Sequence, residues 1–363
     1  MAKDKIYLQV AAFLRECISE GKMKVGEAIY SENLLCEKLG VSRTSVRKAI
    51  RLMVEDNILE TYPGKGTFIK SDGSGILHNR FCLINHYTRI LQYDVTDSYY
   101  SDIIFGAEAQ TREFNLDFSV FSKEFHTPDE ALELFKNMKY DGVIIDSGFQ
   151  TLKNNYCFLE ELFKNAVIVD GNPEEGTIPV TAPDAEMGFS RLLELAAQRR
   201  APVFFITQEH NSSHRWRKIC FERAAKKAGI QYTIVDYGKN IRFDNFFHLD
   251  FNHFDHHPLI HEQLKEIAVP ENHGATFICC NDYVAIKVIS SLRRFGYRVP
   301  DDFAVSGFGG IGFSAYSNPA LTTVKIDSEL LSRNAVKILM DVVEKRRSVS
   351  ELLPVGVIKR ESL

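Results

Sequence analysis

The run Ser71-Asp72-Gly73-Ser74-Gly75 constrains this chain more than any other stretch. Small, polar and rich in glycine, it reads as a flexible connector rather than part of a core. The pattern also changes across it, from three helices and a hairpin to apolar strands alternating with amphipathic helices. A chain of 363 residues is long enough for more than one core. It is therefore expected to divide into an N-terminal domain at 1–70, a linker at 71–77 and a C-terminal domain at 78–363.

Before the linker, Ile6, Val10, Phe13, Leu14 and Ile18 recur at helical spacing, and Gly21 ends that stripe. Ser31 caps a second helix reaching Leu39, which Gly40 stops. Ser42 caps a third helix over 43–56, with Val46, Ala49, Ile50, Met53 and Val54 facing inward. Two β runs, 58–62 and 67–70, flank the turn Pro63-Gly64-Lys65-Gly66. This is an α+β domain.

After the linker, strands are predicted at 81–85, 118–121, 142–146, 166–170, 203–207, 233–236, 275–280 and 304–307. Helices are predicted between them at 99–114, 128–137, 185–198, 216–228 and 283–295. That order argues for parallel sheets covered by helices on both faces. The segment is too long for one doubly wound unit, so two α/β lobes are expected.

Hydrophobic residues are 45% and charged residues 25% of the chain, which excludes a disordered polymer. No apolar run approaches the ~18 residues of a membrane helix. The start, MAKDKIYLQVAAF, lacks the layout of a secretory signal. A cytoplasmic protein without a membrane partner is expected. The seven cysteines are scattered with no CxxC pair, so they read as reduced thiols rather than a disulfide or zinc framework.

Charge is uneven. Residues 1–70 carry 12 Lys/Arg against 9 Asp/Glu, while the remainder carries 32 against 39. A mildly basic module on an acidic body points to a polyanionic partner for the module. Two short helices joined through Gly40-Val41 have helix-turn-helix spacing. The second presents Ser42, Arg43, Thr44, Ser45, Arg47, Lys48 and Arg51, with no acid among residues 42–51. Arginine suits guanine edges, and hydroxyls suit phosphates. Lys65 between two glycines makes a hairpin tip that brings backbone close to a groove. A solvated charged face is the alternative reading of the helix alone.

Residues 18–70 resemble the GntR-type winged helix through Gly21, Gly26, Ser31-Glu32, Leu34-Leu35, Leu39-Gly40-Val41-Ser42-Arg43, Val46-Arg47, Ala49, Leu52 and Gly64-Lys65-Gly66-Thr67. The resemblance implies that Asn33, Ser42, Arg43, Thr44, Arg47 and Gly64 meet DNA, with Lys65 beside them at the wing. The chain departs from that family in having Ile29-Tyr30 where Leu-Pro is usual, and Asn33 where Arg is frequent.

The C-terminal segment contains no GxSxG elbow, P-loop, HExxH or dinucleotide fingerprint, and no cofactor is expected. An enzyme is therefore not expected, a sugar-modifying domain tethered to DNA being the remaining catalytic reading. His248, His253, His256, His257 and His261, interleaved with Asp250 and Asp255, form either a metal-binding loop or a polar surface loop.

Residues 275–340 resemble the effector domain of LacI/GalR regulators, itself similar to periplasmic sugar-binding proteins. The matching residues are Asn281-Asp282, Ala285, Gly296, Val299-Pro300, Gly307-Phe308, Pro319, Leu321-Thr322-Thr323 and Ala335. Looser matches are Gly106, residues 141–144, Val169-Asp170-Gly171, Arg217 with Phe221, and the closing residues 357–362. The resemblance implies two lobes closing on a small sugar, dimerisation through the sensor, and Arg217 and Asn281 as ligand hydrogen-bonding residues. Trp216 is either a sugar-stacking aromatic or core, and Asp282 either a ligand contact or a helix cap. His86, with Asn85 and Tyr87, follows the first strand, where the first lobe would contact ligand. Gly309 stands where that family has a sugar-binding Asp, so the effector is expected to be a sugar, a sugar phosphate or another metabolite. Reader and sensor together resemble arabinose-responsive repressors: a homodimer on operator DNA, controlled by a small effector.

Overall fold

The computed structural model describes residues 6–19, 21–55, 58–70, 80–85, 98–122, 140–146, 165–209, 212–238, 258–344, 346 and 348–363. The chain forms two compact units, 1–78 and 79–363.

The first unit consists of α1 (Ile6–Ser19), α2 (Glu32–Leu39), α3 (Arg43–Glu55) and a hairpin of β1 (Leu59–Tyr62) and β2 (Gly66–Ile69). Local chemistry sets each boundary. The Ser31 hydroxyl accepts from the Leu34 N–H at 3.3 Å, covering one of the orphan amides at the start of α2. Gly40 ends α2 at φ 62°, left-handed backbone that a side chain would strain, and its N–H donates to the Cys36 carbonyl. Ser42 repeats the device for α3, accepting from the Ser45 N–H at 3.2 Å. Val10, Leu14, Leu35, Val46, Ala49, Met53, Ile58, Leu59 and Ile69 form the core of this unit. The hairpin is antiparallel with Leu59 opposite Ile69 and Tyr62 opposite Gly66, and Ala28 bridges to Phe68 on its other edge. This is the winged helix-turn-helix expected from the sequence.

The second unit is built on two six-stranded sheets, each forming one lobe. The first contains β3 (Arg80–Asn85), β4 (Asp117–Ser122), β5 (Gly142–Asp146), β6 (Ala166–Val169), β7 (Val180–Pro183) and β13 (Glu351–Leu353), in the order β13-β7-β6-β5-β3-β4. All its pairings are parallel. The second contains β8 (Val203–Thr207), β9 (Tyr232–Asp236), β10 (Thr276–Cys279), β11 (Ala304–Gly309), β12 (Thr322–Lys325) and β14 (Gly356–Ile358). Its order is β14-β12-β11-β10-β8-β9, and only β14 runs antiparallel. The interior strands are uninterrupted apolar runs such as residues 203–206, the pattern of strands covered on both faces.

Helices α4 (Ser98–Glu113) and α9 (Ser328–Val343) pack on each other over the first sheet. Helices α5 (Ala185–Ala197) and α6 (Ser212–Ala228) pair in the second lobe, where α7 (Pro258–Ile267) packs on α8 (Asp282–Arg294). The chain passes between the lobes after β7, after β12 and after β13. The expected helix at 128–137 lies outside the described residues, as does the linker at 71–77. The sequence period gave no sign of β7, β12 or β13. Each is only three or four residues long, and β12 opens on Thr322 and Thr323, which are buried yet polar.

The close approach of α4 and α9 depends on Gly106. A Cβ there would overlap the Glu329 carbonyl oxygen and the Ser332 hydroxyl. A backbone carbonyl cannot swing aside, so Gly106→Ala is expected to destabilise the second unit by about 1–3 kcal/mol. Thermal melting checks this, with a fall of a few degrees expected and an unchanged midpoint refuting it.

Candidate DNA-reading surface and effector cleft

On the first unit, Asn33, Ser42, Arg43, Thr44, Arg47, Gly64 and Lys65 are all exposed. Asn33 lies in the first turn of α2, and Ser42 to Arg47 span the start of α3. The two glycines of the wing tip, Gly64 and Gly66, have φ of 75° and 118°. No side chain limits how closely backbone can approach a groove there.

Sequence reasoning quoted Glu32 only as part of a motif and missed its role. Its carboxylate holds both recognition-helix arginines. Arg43 Nε donates to Glu32 Oε2 at 2.7 Å, and Arg47 Nε donates to the same oxygen at 3.0 Å and to Oε1 at 3.1 Å. The Arg43 hydrogen bond, aided by Arg47 and opposed by partial burial, keeps this carboxyl below the usual carboxylate range. Lys48 on the same helix lies 4.2 Å from the Tyr7 ring centroid, a cation–π contact that ties α3 to α1.

In the second unit a cluster of buried polar and charged side chains gathers where the lobes meet. Arg217 projects from α6 of the second lobe and is 5% exposed. Its Nη2 donates to Asp170 Oδ2 at 2.6 Å, its Nη1 to the Cys280 carbonyl at 3.0 Å, and its guanidinium lies 4.8 Å from the Phe308 ring centroid. Asp170 follows β6 of the first lobe and is 3% exposed, with φ of 55°. Non-glycine residues seldom adopt that backbone, and when held there they cluster at functional sites. The Tyr99 hydroxyl donates to the same Oδ2 at 2.9 Å. Burial, then the carboxylates of Asp170 and Asp146, hold Tyr99 protonated. Burial alone would lower the Arg217 pKa, but Asp170 more than offsets it, so the guanidinium stays charged. Among the described residues, Asp170 Oδ1 and Arg217 Nε are buried with no hydrogen-bond partner.

The segment after β6 is tied to α6 at further points. Glu175 takes Arg215 at 2.7 and 2.9 Å and the Ser212 hydroxyl at 3.0 Å, while Ser212 accepts from the Asn172 N–H at 2.9 Å. Glu174 and Arg223 form a two-toothed pair at 2.8 and 2.9 Å nearer the surface.

Asn281 lies beside Cys280 and is the cap of α8: its Oδ1 accepts from the Val284 N–H at 2.8 Å. Its Nδ2 therefore faces His214 Nε2 at 3.0 Å as a donor. On the other side of the ring His214 Nδ1 lies 2.7 Å from Gln208 Nε2, so the imidazole bridges two side-chain amides. The cap expected at Asp282 thus belongs to Asn281. Asp282 is buried and braces a loop instead, accepting from Thr323 Oγ1 at 2.5 Å and from the Ile311 N–H at 2.8 Å. Burial pushes its carboxyl up to about 6, against those hydrogen bonds. This explains Gly309. Its φ is 133°, and a Cβ there would start 3.7 Å from Asp282 Oδ2. An Asp at 309 would be strained and would set a second carboxylate beside a buried one.

Trp216 is 4% exposed and parts from Arg217, because adjacent helical residues diverge by about 100°. It lines a separate groove of about 650 Å³ with Glu174, Met187, Arg223 and Ser350. His86, His248, His253, His256 and His257 lie outside the described residues. His261 packs 4.5 Å from the Phe295 ring. Among the described residues no three His, Cys, Asp or Glu side chains are placed to share a metal ion, and no helix is long and apolar enough to cross a membrane. Asp170, Tyr99, His214 and Gln208 were not singled out from the sequence as site residues. Two signals were available for Asp170: the loose family match Val169-Asp170-Gly171, and its position at the carboxyl end of a parallel strand, where such sheets bind ligands.

Comparison with known proteins agrees with this geometry. Residues 6–69 match the family of bacterial regulatory proteins of the gntR type, and residues 190–363 match the periplasmic binding protein-like domain. The chain is therefore a transcription regulator in which a GntR helix-turn-helix domain precedes a periplasmic-binding-protein-like sensor. It is 25% identical over 354 residues to an arabinose metabolism transcriptional repressor of Halalkalibacterium halodurans, covering 92% of this chain and 88% of that protein. Its fold is similar to a transcriptional regulator CelR–cellobiose complex, with TM-score 0.62, 17% identity, and 89% and 91% of the two chains covered. A LacI family regulator from Mycobacterium smegmatis gives TM-score 0.63 at 17% identity, over 78% of this chain and 98% of that one.

The Asp282 carboxyl has a testable consequence. Its pKa of about 6 in the folded chain lies above the ordinary 3.8. The stability it contributes is complete below pH ~4 and is lost as pH rises through ~6, by up to about 3 kcal/mol. Asp282→Asn removes that titration. Denaturant melts at pH 4 and pH 7 are expected to show the variant gaining on the wild type at the higher pH, and parallel behaviour refutes this.

Proposed function

We propose that this protein is a homodimeric transcriptional repressor of carbohydrate-utilisation genes, whose grip on operator DNA is set by a sugar or related metabolite held between the lobes of residues 78–363. The observation that carries the effector reading is the buried Asp170–Arg217 pair. It joins the lobes and, among the described residues, leaves Asp170 Oδ1 and Arg217 Nε without hydrogen-bond partners. Buried polar atoms are nearly always paired. A hydroxyl supplies what both lack, donating to the carboxylate while accepting from the guanidinium. The names of relatives, an arabinose metabolism repressor and a regulator in complex with cellobiose, support a carbohydrate.

In this reading residues 1–70 form the reader and 71–77 the linker. Asn33, Ser42, Arg43, Thr44, Arg47, Gly64 and Lys65 meet DNA. Arg217 and Asn281 lead the ligand contacts, with Asp170 added. Trp216 and Asp282 act through the surrounding fold. The protein performs no catalysis, returns its effector unchanged and works in the cytoplasm with its DNA. A dimer sets two recognition helices about 34 Å apart, one turn of duplex. Lobe closure on ligand changes that spacing, and such coupling is typically worth about 1–3 kcal/mol.

Two measurements test the reading. Pentoses, hexoses and their phosphates are screened by melting temperature, since a ligand at about 100 times its Kd adds ~2.7 kcal/mol. One sugar is expected to raise the midpoint by a few degrees and Arg217→Ala to erase that shift without loss of DNA binding. No response across the panel refutes the carbohydrate effector. Arg43→Ala and Arg47→Ala are expected to weaken operator binding by ~5- to 100-fold each. Unchanged binding in both refutes the reader.

A further inference from the structure

We infer that Glu32 determines what the recognition helix reads: by taking the Nε edge of both Arg43 and Arg47, it presents their guanidinium ends together to two guanines within two base steps of each other. The inference rests on the DNA-reading function proposed above.

A guanidinium has a side edge containing Nε and an end formed by Nη1 and Nη2. The bonds to Glu32 use Nε in both arginines. The end pairs stay available on side chains that are 58% and 60% exposed. An arginine end is the fork that matches O6 and N7 of guanine in the major groove. Free arginines on a helix surface sample many rotamers and meet phosphates as readily as bases. Glu32 changes both properties. It fixes two long side chains by one charge-assisted anchor, and its own negative charge repels phosphate from that point. The carboxyl is held ionised by Arg43 first and Arg47 after it, so the anchor persists wherever DNA binding is measured.

Spacing follows from the shared oxygen. Glu32 Oε2 accepts from Arg43 at 2.7 Å and from Arg47 at 3.0 Å, which keeps the two Nε atoms within about 6 Å. Base pairs stack ~3.4 Å apart, so the two forks match guanines on neighbouring base pairs or with one pair between, on either strand. Glu32 is a positioning residue here: it acts through the arginines.

The alternative is that Glu32 merely braces α2 against α3. Selection from a random duplex library with the full-length protein, followed by binding to the selected site with both guanines replaced by 7-deazaguanine, separates the two. The wild type is expected to select half-sites with two G·C pairs within two steps, and to lose ~10-fold or more in affinity when N7 is removed. E32Q is expected to bind the natural site more weakly and to lose under ~3-fold on the 7-deaza site. E32A, compared at a temperature where melting shows it folded, is expected to behave likewise. An equal N7 loss in wild type and variants overturns the inference, as do selected sites without that guanine pair. If the wild type selects no sequence, the DNA-reading function falls instead, and this inference with it.

Discussion

The sensor depends on one buried ion pair. Taking Arg217 and Asp170 out of water costs several kcal/mol per charge, and only close geometry with added hydrogen bonds offsets it. Tyr99, the Cys280 carbonyl and the Phe308 ring supply part of that compensation. Because Asp170 follows a strand of one lobe and Arg217 sits on a helix of the other, these charges are satisfied only where the lobes meet. Removing one partner of such a pair typically costs about 3–5 kcal/mol. Whatever occupies the cleft must therefore treat both charges well.

The same segment repeats the theme with decreasing burial. Asp170, Glu175 and Glu174 each meet an arginine of α6, from the interior outward. Glu175 is partly buried, and Arg215 holds its carboxyl down although burial alone would raise it. The outermost pair, Glu174 with Arg223, is about half exposed and so contributes little, in the manner of surface ion pairs. Ionic chemistry thus grades from a buried lock to a solvated rim along one short loop. In the reader the charges work differently: Arg43 and Arg47 remain exposed, and Glu32 orders them rather than neutralising them.

Much of the fold was legible in the sequence. Helical stripes, the Ser31 and Ser42 caps, the Gly40 stop and the wing tetrapeptide are local features, and local physics places them. The apolar strands of both sheets announced themselves for the same reason, being covered on both faces. Short strands such as β7, β12 and β13 did not, because what makes them strands is the neighbour they pair with. The site divides along the same line. Arg217 and Asn281 were found through a motif, whereas Tyr99 and His214 sit in ordinary-looking stretches and matter only for what lies opposite.

By itself the sequence determined the winged helix and the α/β character of the sensor, because period, turn chemistry and capping act within a few residues. Only tertiary structure decided that Asn281 rather than Asp282 caps α8, that Trp216 faces away from Arg217, and that Glu32 gathers two arginines. It also decided that Asp170 meets Arg217 from 47 residues away. Those outcomes turn on which groups meet in low dielectric, where one unpaired charge outweighs any local propensity.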